Sequence, residues 1–231
     1  MKKIYSNFKH HTFIYSFLLI LLLTSCSKVF YSKDAVELSR QHKTIAIIPP
    51  KVMVSTLLHL NNSSLKEQLK NESYIFQKEM YIWMLNKKNK IPYNFEVLDI
   101  EIVNSILKRN GYFSDTSSLN PFDISKILGV DAVLSSNYNF PRLIGNKTIQ
   151  TLTDTSKSLS ANQNIYPRSK IINEDIGVVY SLYDLTSQKL IWNFEKKITY
   201  SATSYSQYKI VKAIFKKAFK KIPYNSKTEK I

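Results

Sequence analysis

Cys26 is the only thiol in this 231-residue chain, and it closes the apolar stretch Leu21-Leu22-Leu23-Thr24-Ser25-Cys26. One cysteine excludes an internal disulfide. It is either a buried side chain that packs like a small hydrophobe or a thiol placed for modification. Other residues able to do chemistry are sparse. The four histidines are His10, His11, His42 and His59. The last two stand apart in loop-like sequence without neighbouring carboxylates, which is not a metal-ligand pattern. The closest carboxylate pairs are Asp99 with Glu101 and Glu174 with Asp175. Asp99 precedes a helical apolar pattern and reads as its cap, with Glu101 favoured by the helix dipole. Glu174 and Asp175 read as solvated charge at a strand entrance. There is no Gly-x-Ser-x-Gly, no glycine-rich phosphate loop and no His-Glu-x-x-His, so no catalytic set, metal site or cofactor is expected. The remaining candidates are Lys212, Lys216 and Lys220, on a C-terminal helix with an apolar stripe. They are either a solvated face or a contact for an anionic partner, where each lysine near an anionic surface adds about 1 kcal/mol.

The apolar run before Cys26 has its own logic. Lys2, Lys3 and Lys9 precede it, no acidic residue appears before Asp34, and Phe13–Leu23 is too short to cross a bilayer, which takes roughly 20 apolar residues. A basic start, a short apolar run and then small residues is the order of an export signal.

Leu23-Thr24-Ser25-Cys26 resembles the lipobox of bacterial lipoproteins. The resemblance implies cleavage between Ser25 and Cys26, a diacylglycerol on the Cys26 sulfur and a further acyl chain on the freed amine. Two or three chains hold a domain firmly, at about 0.8 kcal/mol per buried methylene. The residues after the cysteine, Ser27-Lys28-Val29-Phe30, lack the acidic residue that redirects sorting in that family. The expected location is therefore the outer membrane, facing the periplasm.

Charge narrows the partners. Lys2, Lys3 and Lys9 are 3 of the 33 basic residues, so the chain after the leader keeps an excess of 13 over its 17 acidic ones. Such an excess suits anionic lipid, an anionic wall polymer or nucleic acid. Nucleic acid conflicts with export. The 15 tyrosines, 12 phenylalanines and only 4 glycines suit an ordered domain.

The expected organisation is a leader at 1–25, a lipidated tether at 26–43, one α/β domain at 44–222 and a tail at 223–231. Thr44–Ile48 is a β-branched run halted by Pro49-Pro50, a buried strand. Leu65, Leu69, Phe76, Met80 and Met84 mark a helix to about Lys88, with Ile75, Ile82, Trp83 and Leu85 widening its stripe. Phe95–Leu98 reads as a strand. A helix follows from the Asp99 cap to Asn110-Gly111. Another runs from the Asn120 cap and Pro121 to Gly129, followed by a strand from Asp131. Residues 141–174 read as a long loop insertion. An antiparallel hairpin is expected from Val178–Tyr183 and Leu190–Ile198, with Leu190, Trp192, Phe194 and Ile198 on one face. The last element is a basic amphipathic helix from about Ser204 to Ile222.

In this order, "TIAIIPP", "FEVLDIEIVNSILKRNGYF", "DISKILGVDAVLSSNYNF" and the hairpin with Leu190-Ile191-Trp192 resemble a group of bacterial envelope domains. The group includes the periplasmic part of the curli secretion channel lipoprotein, the N-terminal domain of TolB and the lipoprotein activators of penicillin-binding proteins. It implies a single α/β domain, a mixed sheet with a C-terminal hairpin and helices packed on it. The family glycines after the Asp131 strand and in the hairpin turn are missing here. Three functions are open: a non-enzymatic accessory lipoprotein that binds another envelope protein or itself, a lipid-anchored enzyme on envelope polymers, and a channel-type oligomer subunit. The missing catalytic set favours the first. The lack of spanning strands of roughly ten alternating residues disfavours the last.

Overall fold

The computed structural model describes residues 27–54, 63–88, 95–113, 119–141, 173–201 and 207–224. Its first elements correct the tether expected at 26–43. Lys28–Tyr31 is a strand, β1, and Ala35–Gln41 is a helix, α1, with Ala35 and Ser39 buried. Val29 and Tyr31 alternate with exposed Lys28 and Phe30 and pack on the main core. Two inward residues are too few for a strand to show in the sequence, but they suffice once a partner strand is present.

The run Thr44–Ile47 forms β2. It is buried on both sides: Ile45 and Ile47 enter one core, Ala46 and Ile48 the other. Next comes Lys51–Val54, strand β3, where the sequence suggested no strand. Helix α2 spans Ser63–Lys88, strand β4 is Glu96–Val97 and helix α3 is Ile100–Arg109. Helix α4 is Pro121–Leu128 and strand β5 is Ala132–Phe140. Strands β6 (Asn173–Asp184) and β7 (Lys189–Ser201) make the hairpin, and helix α5 is Gln207–Phe219.

The seven strands form one mixed sheet in the order β1-β7-β6-β5-β2-β4, with β3 also on β5. β2, β3 and β4 join by parallel pairing, whereas β6, β7 and β1 add antiparallel. β2 and β3 are two halves of one line along β5. β2 covers Ala132–Leu134 and β3 covers Asn137–Phe140. Pro49-Pro50 breaks the line because proline offers no N–H to the ladder. Side chains serve the carbonyls around the break. Gln77 Nε2 donates to the Ile47 carbonyl at 2.8 Å, Ser73 Oγ to that of Pro50 at 2.7 Å and Tyr112 OH to that of Pro49 at 3.3 Å.

Helices cover both faces. α2 and α5 pack on one, over a core of Phe76, Met80, Tyr138, Tyr180, Trp192, Phe194 and Phe215. α3 and α4 pack on the other through Val103, Leu107, Ile124 and Leu128. The caps expected from the sequence are present. Asp99 Oδ1 accepts from the backbone of Glu101 at 2.8 Å, and Asn120 Oδ1 from Phe122 and Asp123 at 2.9 and 3.0 Å. Gly129 ends α4 at φ 65° with nothing within 4 Å of an added Cβ, so the backbone angle and not crowding calls for glycine.

Three details differ from expectation. Ile75, Ile82 and Leu85 do not widen the buried stripe of α2; they are 52%, 44% and 41% exposed. In β7 the register shifts between the pairs Leu182–Trp192 and Tyr183–Leu190, a bulge at Ile191. Ile191 is therefore buried beside Trp192, and Leu190 leaves the face shared by Trp192, Phe194 and Ile198. Finally, Tyr224, expected in a tail from 223, is fully buried in the core.

Candidate functional site

The surface where the chain enters the fold draws together residues from both ends of the sequence. β1 lies antiparallel on β7, with Lys28 opposite Glu195 and Tyr31 opposite Trp192. Tyr31 OH donates to the Lys221 carbonyl just past α5, and Lys221 Nζ lies 3.2 Å from Ser27 Oγ. Beyond the end of β1, Lys189 Nζ at the start of β7 meets Asp34 Oδ2 at 3.1 Å. The strand next to Cys26 is thus pinned at its end and its start. Cys26 and Ser25 themselves lie outside the described residues, as does His59.

Helix α5 presents its lysines unequally. Lys212 Nζ is 3.1 Å from Glu79 Oε2 on α2 and 5.6 Å from the centre of the Tyr208 ring. The Tyr208 hydroxyl, and then Lys212, hold the Glu79 carboxyl below the usual range. Lys212 therefore faces α2. Lys216 and Lys220 are exposed on the crest. Lys217 is exposed as well. Of the three lysines expected to act together, Lys212 is the one paired with Glu79 of α2. Lys217 and Lys221 were not singled out from the sequence.

A buried polar set was missed as well. His42 was expected in a loop away from carboxylates, but its Nε2 is 2.7 Å from Asp184 Oδ1 and its Nδ1 is 2.6 Å from Tyr224 OH. The reason is topology: 142 and 182 residues separate the partners. An ionised carboxylate only accepts, so Nε2 carries a proton toward Asp184. Burial, then the charges of Asp184 and Asp131, push the Tyr224 phenol well above its ordinary value. The set has the composition of an acid–base relay, yet all three side chains are 3% exposed or less. It joins α1, the β6–β7 turn and the C-terminal segment.

The carboxylates are occupied structurally. Asp131 Oδ2 accepts from the backbone of Lys43 at 2.7 Å and of Thr44 at 2.8 Å, and from the Thr44 hydroxyl at 3.2 Å. Burial pushes its carboxyl up, but these donors together with nearby His42 outweigh it and leave it lowered. Asp175 pairs with Lys197 at 2.7 Å, and Asp99 caps α3. Among the described residues no three His, Cys, Asp or Glu side chains could hold a metal.

One crevice, of about 470 Å³, opens beyond Pro49-Pro50 at the end of β2. Lys51, Lys66, Lys70, Tyr112 and Phe113 are among its lining residues, and none of those residues is acidic. In open α/β sheets, ligands commonly bind beyond strand carboxyl ends where helices diverge to opposite faces. Lys70 Nζ sits 5.6 Å from the Phe113 ring centre, and burial pushes the Tyr112 phenol up to about 12.

No protein-family description matches the chain, and no curated protein sequence matches it. Among solved structures it is similar to lipoprotein GNA1162 from Neisseria meningitidis at 13% identity, over 76% of this chain and 96% of that one, with a TM-score of 0.39. It is similar to the C-terminal domain of LpoB from Salmonella enterica at 13% identity, over 74% and 96%, with a TM-score of 0.31. A third is the PelC dodecamer from Paraburkholderia phytofirmans, at 9% identity over 87% and 96%, with a TM-score of 0.31.

Proposed function

We propose that this chain is a non-enzymatic accessory lipoprotein of the bacterial cell envelope. It is anchored through acylated Cys26 in the outer membrane, facing the periplasm, and binds another envelope protein or further copies of itself. The observation that supports this reading most is a junction. Leu23-Thr24-Ser25-Cys26, with the pattern of a lipidation signal, is followed at Ser27 by the start of the folded domain. Among the described residues no helix is long and apolar enough to cross a membrane, so the acyl chains would supply the attachment. Among the described residues the His42–Asp184 pair beside the Tyr224 hydroxyl is sealed in the core, which favours a binding role over hydrolysis of envelope polymers.

Cys26→Ala should abolish acylation and cleavage after Ser25, seen as a shift in mass. Protein recovered equally acylated and cleaved from that variant would end the reading. Crosslinking in intact cells, followed by mass spectrometry, then reads the partner. A single foreign envelope protein supports an accessory factor, and a ladder of the chain with itself supports assembly.

A further inference from the structure

We propose that the crevice beyond Pro49-Pro50 is a binding site for an organic anion, a phosphate or carboxylate carried on an apolar, ring-sized body. Lys51, Lys66 and Lys70 meet the charged group, and Leu69, Tyr112 and Phe113 surround the body. The inference goes beyond the accessory role proposed above and does not depend on the Cys26 anchor.

Placement is the first reason. The face of α2 that packs on the sheet carries Ser73, Gln77, Met80 and Met84, all buried. Lys66 is two turns before Ser73, as Ser73 is before Met80, and Leu69 and Lys70 fall on the same side. The first turns of α2 thus carry the core-facing stripe out over the crevice, where Lys66, Leu69, Lys70 and Ser73 all line it. Core packing alone would keep that stripe apolar. Here it turns basic.

Charge is the second. Lys51, exposed at the start of β3, adds a third ammonium to the lining. Among the described residues neither Lys51 nor Lys70 is paired with a carboxylate. The first turn of α2 also lacks an acidic residue, so the positive end of the helix dipole adds to the lysines. Like charges around one concave space repel one another and gain from a shared anion.

The third reason is the apolar wall. Tyr112 and Phe113 meet edge to face with ring centres 5.2 Å apart, and Tyr74 meets Phe113 in the same way at 6.0 Å. Lys70 Nζ stands 5.6 Å from the Phe113 ring centre, which puts cation and wall side by side. The hydroxyls of Tyr112 and Ser73 already donate to the Pro49 and Pro50 carbonyls, so recognition of a polar group falls to the lysines. A mostly apolar space of about 470 Å³ with a few charged groups is the usual form of a small-molecule site.

The test uses the full chain purified from membranes in phosphatidylcholine nanodiscs. The probes are naphthyl phosphate, naphthoate, naphthol and inorganic phosphate, each raised to millimolar concentration. An amine-acetylating reagent is added and each lysine is followed by mass spectrometry. Naphthyl phosphate or naphthoate should slow Lys51, Lys66 and Lys70 about fivefold, the factor expected for an exposed ion pair at its strongest. Lys216 and Lys220 on α5 should react as before. No slowing with either anion overturns the site. Equal slowing by inorganic phosphate removes the apolar body from the proposal, and equal slowing by naphthol removes the lysines; either overturns it. Lys66→Gln with Lys70→Gln should raise the concentration of naphthyl phosphate that half-protects Lys51 about tenfold. Lys216→Gln with Lys220→Gln, the same change of charge on α5, should leave it unchanged. All four side chains are exposed, so the fold is not at stake. Equal weakening by the two pairs would make the binding a matter of net charge and overturn the site.

Discussion

Lys221 Nζ lies 3.2 Å from Ser27 Oγ although 194 residues separate them, so the first and last described segments close on each other at one edge of the sheet. The backbone of the same lysine accepts from Tyr31 OH. Tyr31→Phe keeps the ring, which packs on the core, and removes the hydroxyl that donates to Lys221 and also interacts with Trp192. The expected cost is about 1 kcal/mol in urea unfolding. Deleting residues 27–41 should cost far more, because Ala35, Val29 and Tyr31 leave the core with β1 and α1. A truncated chain as stable as the full one would return this segment to a tether.

The buried histidine makes a sharper demand. Replacing His42 with Phe leaves a ring of similar size but removes both hydrogen bonds. Asp184 Oδ1 and Tyr224 OH, buried at 1% and 0% exposure, then lose a partner each. An unsatisfied buried polar group costs roughly 1–3 kcal/mol, more when charged. His42→Phe should therefore lower stability by about 3 kcal/mol, and adding Asp184→Asn should recover part of the loss. The coupling is the informative quantity: strictly additive losses would mean that the two side chains do not share one network.

Local signals were legible and long-range ones were not. Asn120, Pro121 and Gly129 bound α4 by backbone chemistry that acts within a few residues, and the structure repeats it in the caps and the φ of 65°. The two-sided burial of Thr44–Ile47 showed as an unbroken β-branched run for the same reason. β3 stayed hidden because its outward Lys51 and Met53 and half-buried Val52 and Val54 make a strand only against β5. The hairpin turn lacks glycine, and Gln188 takes a φ of 53° there, the left-handed angle that glycine adopts without strain. The same distance effect governed the candidate site. Helical periodicity showed that α5 was basic on one side, but the contacts of Lys212 with Glu79 and of Lys221 with Ser27 come from segments 133 and 194 positions away.

The phenols give an alkaline signature. Tyr112 is pushed up to about 12 by burial, above the value of about 10 it has in the unfolded chain. A group whose folded value is raised contributes stability that is fully present below pH 10 and is lost as pH rises through 12. Tyr138, Tyr180 and Tyr224 are raised by burial in the same direction. Absorbance titration near 295 nm should show the exposed tyrosines ionising first. The buried set should follow only with loss of the folded circular dichroism. Ionisation of all 15 tyrosines in one step near pH 10, with the fold intact, would contradict the burial described.

Asp131 predicts the acid limb. Its carboxyl is lowered because the donors from Lys43 and Thr44, with His42 nearby, outweigh the effect of burial. A folded value below the unfolded one of about 3.9 means that its stabilisation is present above that pH and disappears as pH falls through the folded value. Asp131→Asn keeps one oxygen to accept the backbone N–H groups and removes the charge. It should cost about 1 kcal/mol at pH 7, the difference between charged and neutral acceptors. Urea unfolding of both proteins from pH 7 to pH 2 should then show the gap closing below about pH 4, since the protonated wild type no longer holds the charge. A gap that stays constant across this range would place the loss in packing and not in the carboxylate, and would remove Asp131 from the account of acid sensitivity.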